Sequence, residues 1–281
     1  MLSQDSLYLS ACQLFQNKKY KKAFLKLIQI SNKYSHDLDF LRMLSLTQAA
    51  LRDQVALLKT LKVIADISDS AEDKIKLMHA LSMDKHYETS KQLSFKLLGS
   101  VLNDQQKSLV YKNLIRIYTI ENNFEQLESL CNEMLLLGIL DAELYYAQAL
   151  VYSNNNDAEA AIECLRNAVN INPTFDTGWT ALALHHYNKG DLELAKANLE
   201  KALDLNPHNT SALKFMSVWT DEKPESIRES LDKVNFYLQN YNFDGELTEC
   251  HAKLLIKVGR IDLAQLEMNK LTYYFGKQAS L

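Results

Sequence analysis

A chain of 281 residues that is 47% apolar can bury a large core, and 31 basic against 35 acidic residues leave a formal charge of −4. That balance gives no electrostatic case for nucleic acid, whose binding needs a clustered basic surface. Only 7 Gly and 3 Pro, with Leu, Ala, Lys, Glu and Gln abundant, favour helix throughout over sheets with many tight turns.

The first residues, MLSQDSLYLSACQLF, lack a basic region ahead of an uninterrupted apolar run. No stretch approaches the roughly 20 apolar residues of a membrane span. The expectation is a soluble, cytoplasmic protein with no integral membrane segment. Cys12, Cys131, Cys164 and Cys250 stand far apart without CxxC or CxxH spacing, so they read as buried thiols and supply no zinc signature. No GxSxG, HExxH or Gly-rich phosphate loop occurs, and the sequence implies no enzyme activity, cofactor or metal.

Taken in order, the apolar pattern falls into helical hairpins of about 34 residues, each with a helix A and a helix B. Residues 4–37 place Leu7, Ala11 and Leu14 on helix A, Lys18-Lys19-Tyr20 at the turn, and Ala23, Leu27 and Ile30 on helix B. Residues 38–70 follow with Leu41 and Leu44, a turn at Arg52-Asp53, then Leu57, Leu61 and Ile64. Residues 71–107 turn at Asp84-Lys85-His86-Tyr87 and carry Ser90 where Ala23 stood; this unit is a few residues long, which predicts a loop at Asn103-Asp104. Residues 108–141 place Tyr111, Leu114 and Tyr118 before the turn Asn122-Asn123-Phe124, and Leu127, Cys131 and Met134 after it.

The pattern is sharpest in the next two units. Residues 142–175 set Tyr145, Ala149, Ala161, Leu165, Ala168 and Pro173, and residues 176–209 set Trp179, Ala183, Ala195, Leu199, Ala202 and Pro207 at the same offsets. The alanines let two helix backbones approach closely, since a larger side chain there costs about 1–3 kcal/mol of overpacking. Asn154-Asn155-Asn156-Asp157 and Asn188-Lys189-Gly190-Asp191 supply a left-handed residue to end helix A and an Asp to cap helix B. Each Pro closes helix B. Residues 210–244 are irregular, with Pro224 where Gly would stand, and 245–278 recover the frame with Ala252, Gly259, Ala264 and Leu271.

Trp179-x2-Leu182-Ala183-x2-His186, followed by Ala195-x3-Leu199 and Pro207, resembles the tetratricopeptide repeat, with Gln148 and His186 departing from its usual Leu and Tyr. The resemblance implies an all-α solenoid, a right-handed superhelix of about eight hairpins spanning 1–281 as one domain, with partly polar end units. It also implies that the A helices line a concave groove that takes a segment of another protein, so that the chain acts as a scaffold or adaptor. On that reading the groove-facing candidates are Arg42, Lys112, Arg116, Tyr146, Leu150, Asn154, Leu184, Tyr187 and Asn188, with Ile75, His79 and Thr180 also facing outward. Arg pairs bidentately with carboxylates, and Tyr offers contact area at low entropy cost. Tyr146, Leu150, Leu184 and Tyr187 are the expected anchors, oriented by Lys112 and Arg116.

The Lys, Asn and Arg clamp of chaperone-binding relatives is not reproduced, because Tyr146, Leu150, Thr180 and Leu184 stand at those positions. A second reading makes the chain an accessory or substrate-recruiting subunit of an enzyme that modifies surface or secreted proteins. A third keeps an unrecognised site within 210–244. A homodimer through C-terminal aromatics (Trp219, Tyr237, Tyr241, Tyr273, Tyr274) is a further possibility. His185-His186 point about 100° apart on a helix and cannot chelate one metal together. Lys18, Lys19, Lys21, Lys22 and Lys26 read as a solvated turn and helix face.

Overall fold

A computed structural model describes residues 2–220, 223–240 and 243–278; Tyr241 lies outside the described residues. The described residues form sixteen α-helices after a short 3₁₀ turn at Leu2–Gln4, and the fold is an all-α solenoid of helical hairpins. The chain divides into two compact units, 1–130 and 131–281.

In the first unit the hairpins are α1 (Ser6–Gln16) with α2 (Tyr20–Ile30), α3 (Leu38–Ala50) with α4 (Gln54–Ile67), and α5 (Ala71–Met83) with α6 (Tyr87–Leu98). Next comes α7 (Asp104–Ile120), and α8 (Phe124–Leu136) runs across residue 130. The second unit pairs α9 (Ala142–Asn154) with α10 (Ala158–Ile171), α11 (Asp176–Lys189) with α12 (Leu192–Leu205), α13 (Thr210–Trp219) with α14 (Pro224–Asn240), and α15 (Gly245–Lys257) with α16 (Ile261–Gln278). Within the units each B helix also packs on the next A helix, as α4 does on α5 and α10 on α11.

One turn chemistry makes all the well-formed hairpins. One or two positions after each of these A helices a residue takes positive φ: Lys18 (57°), Arg52 (59°), Lys85 (62°), Asn122 (51°), Asn156 (62°), Gly190 (89°) and Gly259 (78°). The backbone N–H that follows then reaches back into helix A, as Lys19 does to Leu14 O, Asp157 to Tyr152 O and Asp191 to His186 O, at 2.8–2.9 Å. This left-handed C-terminal motif satisfies carbonyls that the helix end would otherwise orphan. Pro224 stands 34 residues after Gly190, and its ring fixes φ near about −65°, so it opens α14 instead of ending α13.

The small-residue positions behave as the packing argument requires. Ala149, Ala161, Ala183, Ala195, Ala168 and Ala202 are all essentially without solvent exposure. Ser90 takes the same place in α6 and is equally buried. Its Oγ donates to Met78 O of α5 at 2.8 Å, so the hydroxyl is satisfied by the backbone it presses against. Asn113 Nδ2 donates to Ser90 Oγ and Ser94 Oγ at 2.9 and 3.1 Å, giving the first unit a buried polar cluster among its apolar contacts. Asn172 and Asn206, each preceding a proline, are extended, and their side-chain oxygens accept from the N–H of Thr174 and His208.

Three expectations are corrected. Helix α7 begins at Asp104, four residues before the counted frame of 108–141, because Asn103 and Gln106 form a reciprocal capping box there. Asp157 caps α10 through Ala160 N, but Asp191 makes no capping bond and lies 3.5 Å from His186 Nδ1. Ile75 does not face outward, and Thr180 stands on the expected face, lining the groove described below, but is almost covered. Ile75 packs in the core with Met78 and Leu97, and Thr180 is 4% exposed with its hydroxyl on Asp176 O.

Candidate functional site

Helices α9, α11 and α13 are successive A helices of the second unit, and the side chains between them bound a groove of about 650 Å³. Tyr146, Leu150 and Ser153 come from α9, one helical turn apart, so they share a face. From α11 come Thr177, Ala181, Leu184, His185 and Asn188 on the same principle. Phe215 and Ser211 of α13 close the far side.

The floor is apolar. Tyr146 packs its ring edge-on against Phe175, with centroids 5.5 Å apart, and burial pushes its hydroxyl above the ordinary phenol range. Beneath it lies the cluster of Ala149, Ala161, Ile162, Leu165, Val169 and Leu182, which fixes the spacing of α9, α10 and α11. Gly178 on α11 belongs to this arrangement: a Cβ there would stand 2.8 Å from Phe175 Cδ1 and 3.0 Å from Val169 Cγ1. The absence of a side chain lets Phe175 tuck under Tyr146.

The walls are tied together by polar contacts one repeat apart. His185 Nε2 lies 2.9 Å from Ser153 Oγ, joining α11 to α9. Asn209 Nδ2 donates to Asp176 Oδ2 at 2.8 Å and to Thr180 Oγ1 at 3.0 Å, and Asn206 Nδ2 donates to the same carboxylate oxygen at 2.9 Å. Lys189 Nζ meets Glu159 Oε1 at 2.5 Å across the rim. Burial, then the neighbouring His186, holds the His185 pKa below the usual imidazole range, so it is neutral at pH 7.

Of the sequence-derived candidates, the groove brings together Tyr146, Leu150, Thr180, Leu184 and Asn188. Tyr187 turns away and stacks on Trp219, with centroids 4.1 Å apart and planes 4° from parallel; Phe215 stacks on the same indole ring at 4.8 Å. Asn154 is exposed at the end of α9, outside the groove lining. Arg42, Lys112 and Arg116 belong to the first unit. Arg42 grips Asp73 of the next repeat through Nη2 at 2.6 Å and Nε at 3.4 Å, and Arg116 donates to Ser82 Oγ. Sequence reasoning missed Phe215 and His185 as groove residues. Phe215 sits in the irregular unit, where the frame gives no register, and His185 reads from the sequence as half of an adjacent pair with a packing or surface role, not as a position on the groove face.

The C-terminal aromatics divide in two. Trp219 and Tyr237 pack against the α12–α15 core, while Tyr273 is 70% exposed and Tyr274 lies against Phe243, with ring centroids 4.2 Å apart and planes tilted by 33°. Among the described residues, no helix is long and apolar enough to cross a membrane.

Family models described as tetratricopeptide repeat match residues 142–175 and 177–209. Residues 142–175 and 177–209 are tetratricopeptide repeats. The two matched repeats hold α9 to α12, and with them most of the groove described above. Among solved structures, the chain is similar to the anaphase-promoting-complex protein in the Cut9–Hcn1 hetero-tetramer at 11% identity, with a TM-score of 0.61 over 87% of this chain and 48% of that one. It is also similar to the C-terminal part of a tetratricopeptide-repeat-containing protein from Cytophaga hutchinsonii, at 13% identity and a TM-score of 0.51, covering 92% and 98% of the two chains. At these identities the likeness shows the tetratricopeptide-repeat fold alone. No curated protein sequence matches the chain.

Proposed function

We propose that this tetratricopeptide-repeat chain is a protein-interaction scaffold that holds a segment of a partner protein in the groove of α9, α11 and α13. One observation carries the reading: an apolar floor made by Tyr146, Leu150, Leu184 and Phe215 lies open between three A helices whose spacing is fixed by a buried core. A groove of that kind does not close on itself, because the helices beneath it are held apart by side chains that cannot move without opening cavities. Apolar anchors of a partner gain by filling it, and central anchors of this kind dominate binding energies. Asn188, exposed at the rim, offers both a donor and an acceptor to a partner backbone.

The test is a pair of charge insertions. Leu184→Glu places a carboxylate on the floor and is expected to weaken partner binding by about 30-fold or more, the equivalent of a hot-spot loss of about 2 kcal/mol. Leu194→Glu, on the exposed side of α12 (51% exposed), is expected to leave binding unchanged. Titration of the partner against both variants checks this, and equal affinities for the two would remove the groove from the mechanism.

A further inference from the structure

The groove is open to solvent on one side and bounded by three helices, yet it presents almost no net charge. Of the side chains lining it only Lys189 and Glu159 are ionised, and they are spent on each other at 2.5 Å on the rim. Other polar groups are already committed. Both donor contacts of Asn209 go to Asp176 and Thr180, its side-chain oxygen accepts from Ala212 N, and His185 is neutral and shares Ser153 Oγ. Toward the groove this leaves apolar surface from Tyr146, Leu150, Ala181, Leu184 and Phe215, edged by the neutral groups of Asn188, Thr177 and Ser211.

From this balance we infer that the segment taken by the groove is uncharged, with one or more apolar side chains seated among Leu150, Leu184 and Phe215 and its backbone meeting the neutral rim. The inference rests on the groove reading above and adds the chemistry of the occupant. An acidic or basic guest residue at the floor gives up its water and finds no countercharge there, a cost of several kcal/mol for an unpaired ion. To pair with Lys189 or Glu159 it must first break their mutual contact. A neutral apolar side chain meets neither cost. At about 650 Å³ the space falls within the roughly 300–1,000 Å³ range of sites that take a compact ligand. Recognition that does not depend on charge is also insensitive to salt, because screening acts only on ionic attraction.

The experiment is a selection of random 12-residue phage-displayed peptides on the full chain, counter-screened on Leu184→Glu and on Ser211→Glu, whose substituted position is exposed. Peptides lost on either variant are expected to be enriched in Leu, Ile, Met or Phe and depleted in Asp, Glu, Lys and Arg relative to the library. Their affinity is expected to change by less than about twofold between 0.05 and 0.5 M NaCl. Enrichment in either charge sign, or a loss of about tenfold or more with salt, overturns the uncharged occupant while leaving the groove as a binding site. Peptides that bind both variants as well as the parent chain overturn the groove reading itself, and this inference with it.

Discussion

Leu165→Ala is expected to destabilise the second unit by about 2–5 kcal/mol, the range for emptying a fully buried leucine site. Leu165 is 1% exposed and sits on α10 between Ala149 of α9 and Leu182 of α11, so its side chain is shared by two hairpins. Its loss removes both the transfer free energy of the buried methyl groups and the contacts that their absence leaves unmade. The neighbours cannot collapse to fill the space. Ala149 and Ala161 are already the smallest side chains that keep the helices apart, and Val169 is pinned against the site of Gly178. In a stack where each hairpin contacts only its neighbours, a residue at such a junction weakens two interfaces together. Urea unfolding followed by far-ultraviolet circular dichroism measures the change. Leu165→Met, which conserves volume, is expected to cost less than about 1.5 kcal/mol. Equal stability of the alanine and methionine variants would contradict the packing described.

Arg42→Ala is the second large effect, and its origin is electrostatic. Asp73 has a side chain only 3% exposed, and its carboxylate is held by Arg42 at 2.6 Å and by Ser68 Oγ at 2.7 Å, with Lys76 3.9 Å away. Removing one partner of a buried pair costs about 3–5 kcal/mol. Arg42 itself is 40% exposed, so water partly replaces it, and the expected loss is about 1–3 kcal/mol. Amide hydrogen exchange localises the effect: protection is expected to fall in α3 and α5, which the pair joins, and to hold in α9 to α12.

The same pair gives a pH dependence with a definite sign. Burial alone raises the Asp73 pKa, but the hydrogen bonds from Arg42 and Ser68 and the charge of Arg42 outweigh it, and the carboxyl titrates below its ordinary value of 3.8. A depressed carboxylate stabilises the fold above the unfolded-state pKa, and that contribution is lost as pH falls through the folded value. The stability gap between the parent chain and Arg42→Ala is therefore expected to be constant from pH 7 to about 5 and to close below about pH 4. A gap that persists unchanged at pH 3 would show that Asp73 does not carry it.

The hairpin order was legible because its determinants are local. Lys18, Arg52, Asn122, Asn156, Gly190 and Gly259 each stand at a turn that the sequence marks, and each takes the left-handed conformation that ends the helix before it. The start of α7 was misplaced because the frame was counted back from residue 142, whereas the helix begins where Asn103 and Gln106 cap it. That signal was in the sequence as Asn-x-x-Gln.

Side-chain direction was harder to read. Tyr187 lies three residues after Leu184 on α11, but whether it faces the groove depends on Trp219, which is 32 residues away and offers it a stacking surface. Arg42 similarly looks like a free cation from its own helix, and only the packing of α3 near α5 shows that Asp73 claims it. Pairings of this kind join residues about 30 positions apart, as Lys91 with Glu121 and Lys214 with Glu246 also do, and no local pattern encodes them.

Site-specific photo-crosslinking is the most direct examination of the groove as the partner-holding surface. A photoreactive residue placed at Leu150 or Leu184 on the floor is compared with one at the exposed Leu194 of α12, in the intact chain under native conditions. The account predicts covalent adducts to one partner segment from both floor positions and none from Leu194. Adducts from Leu194 with silent floor positions would contradict it.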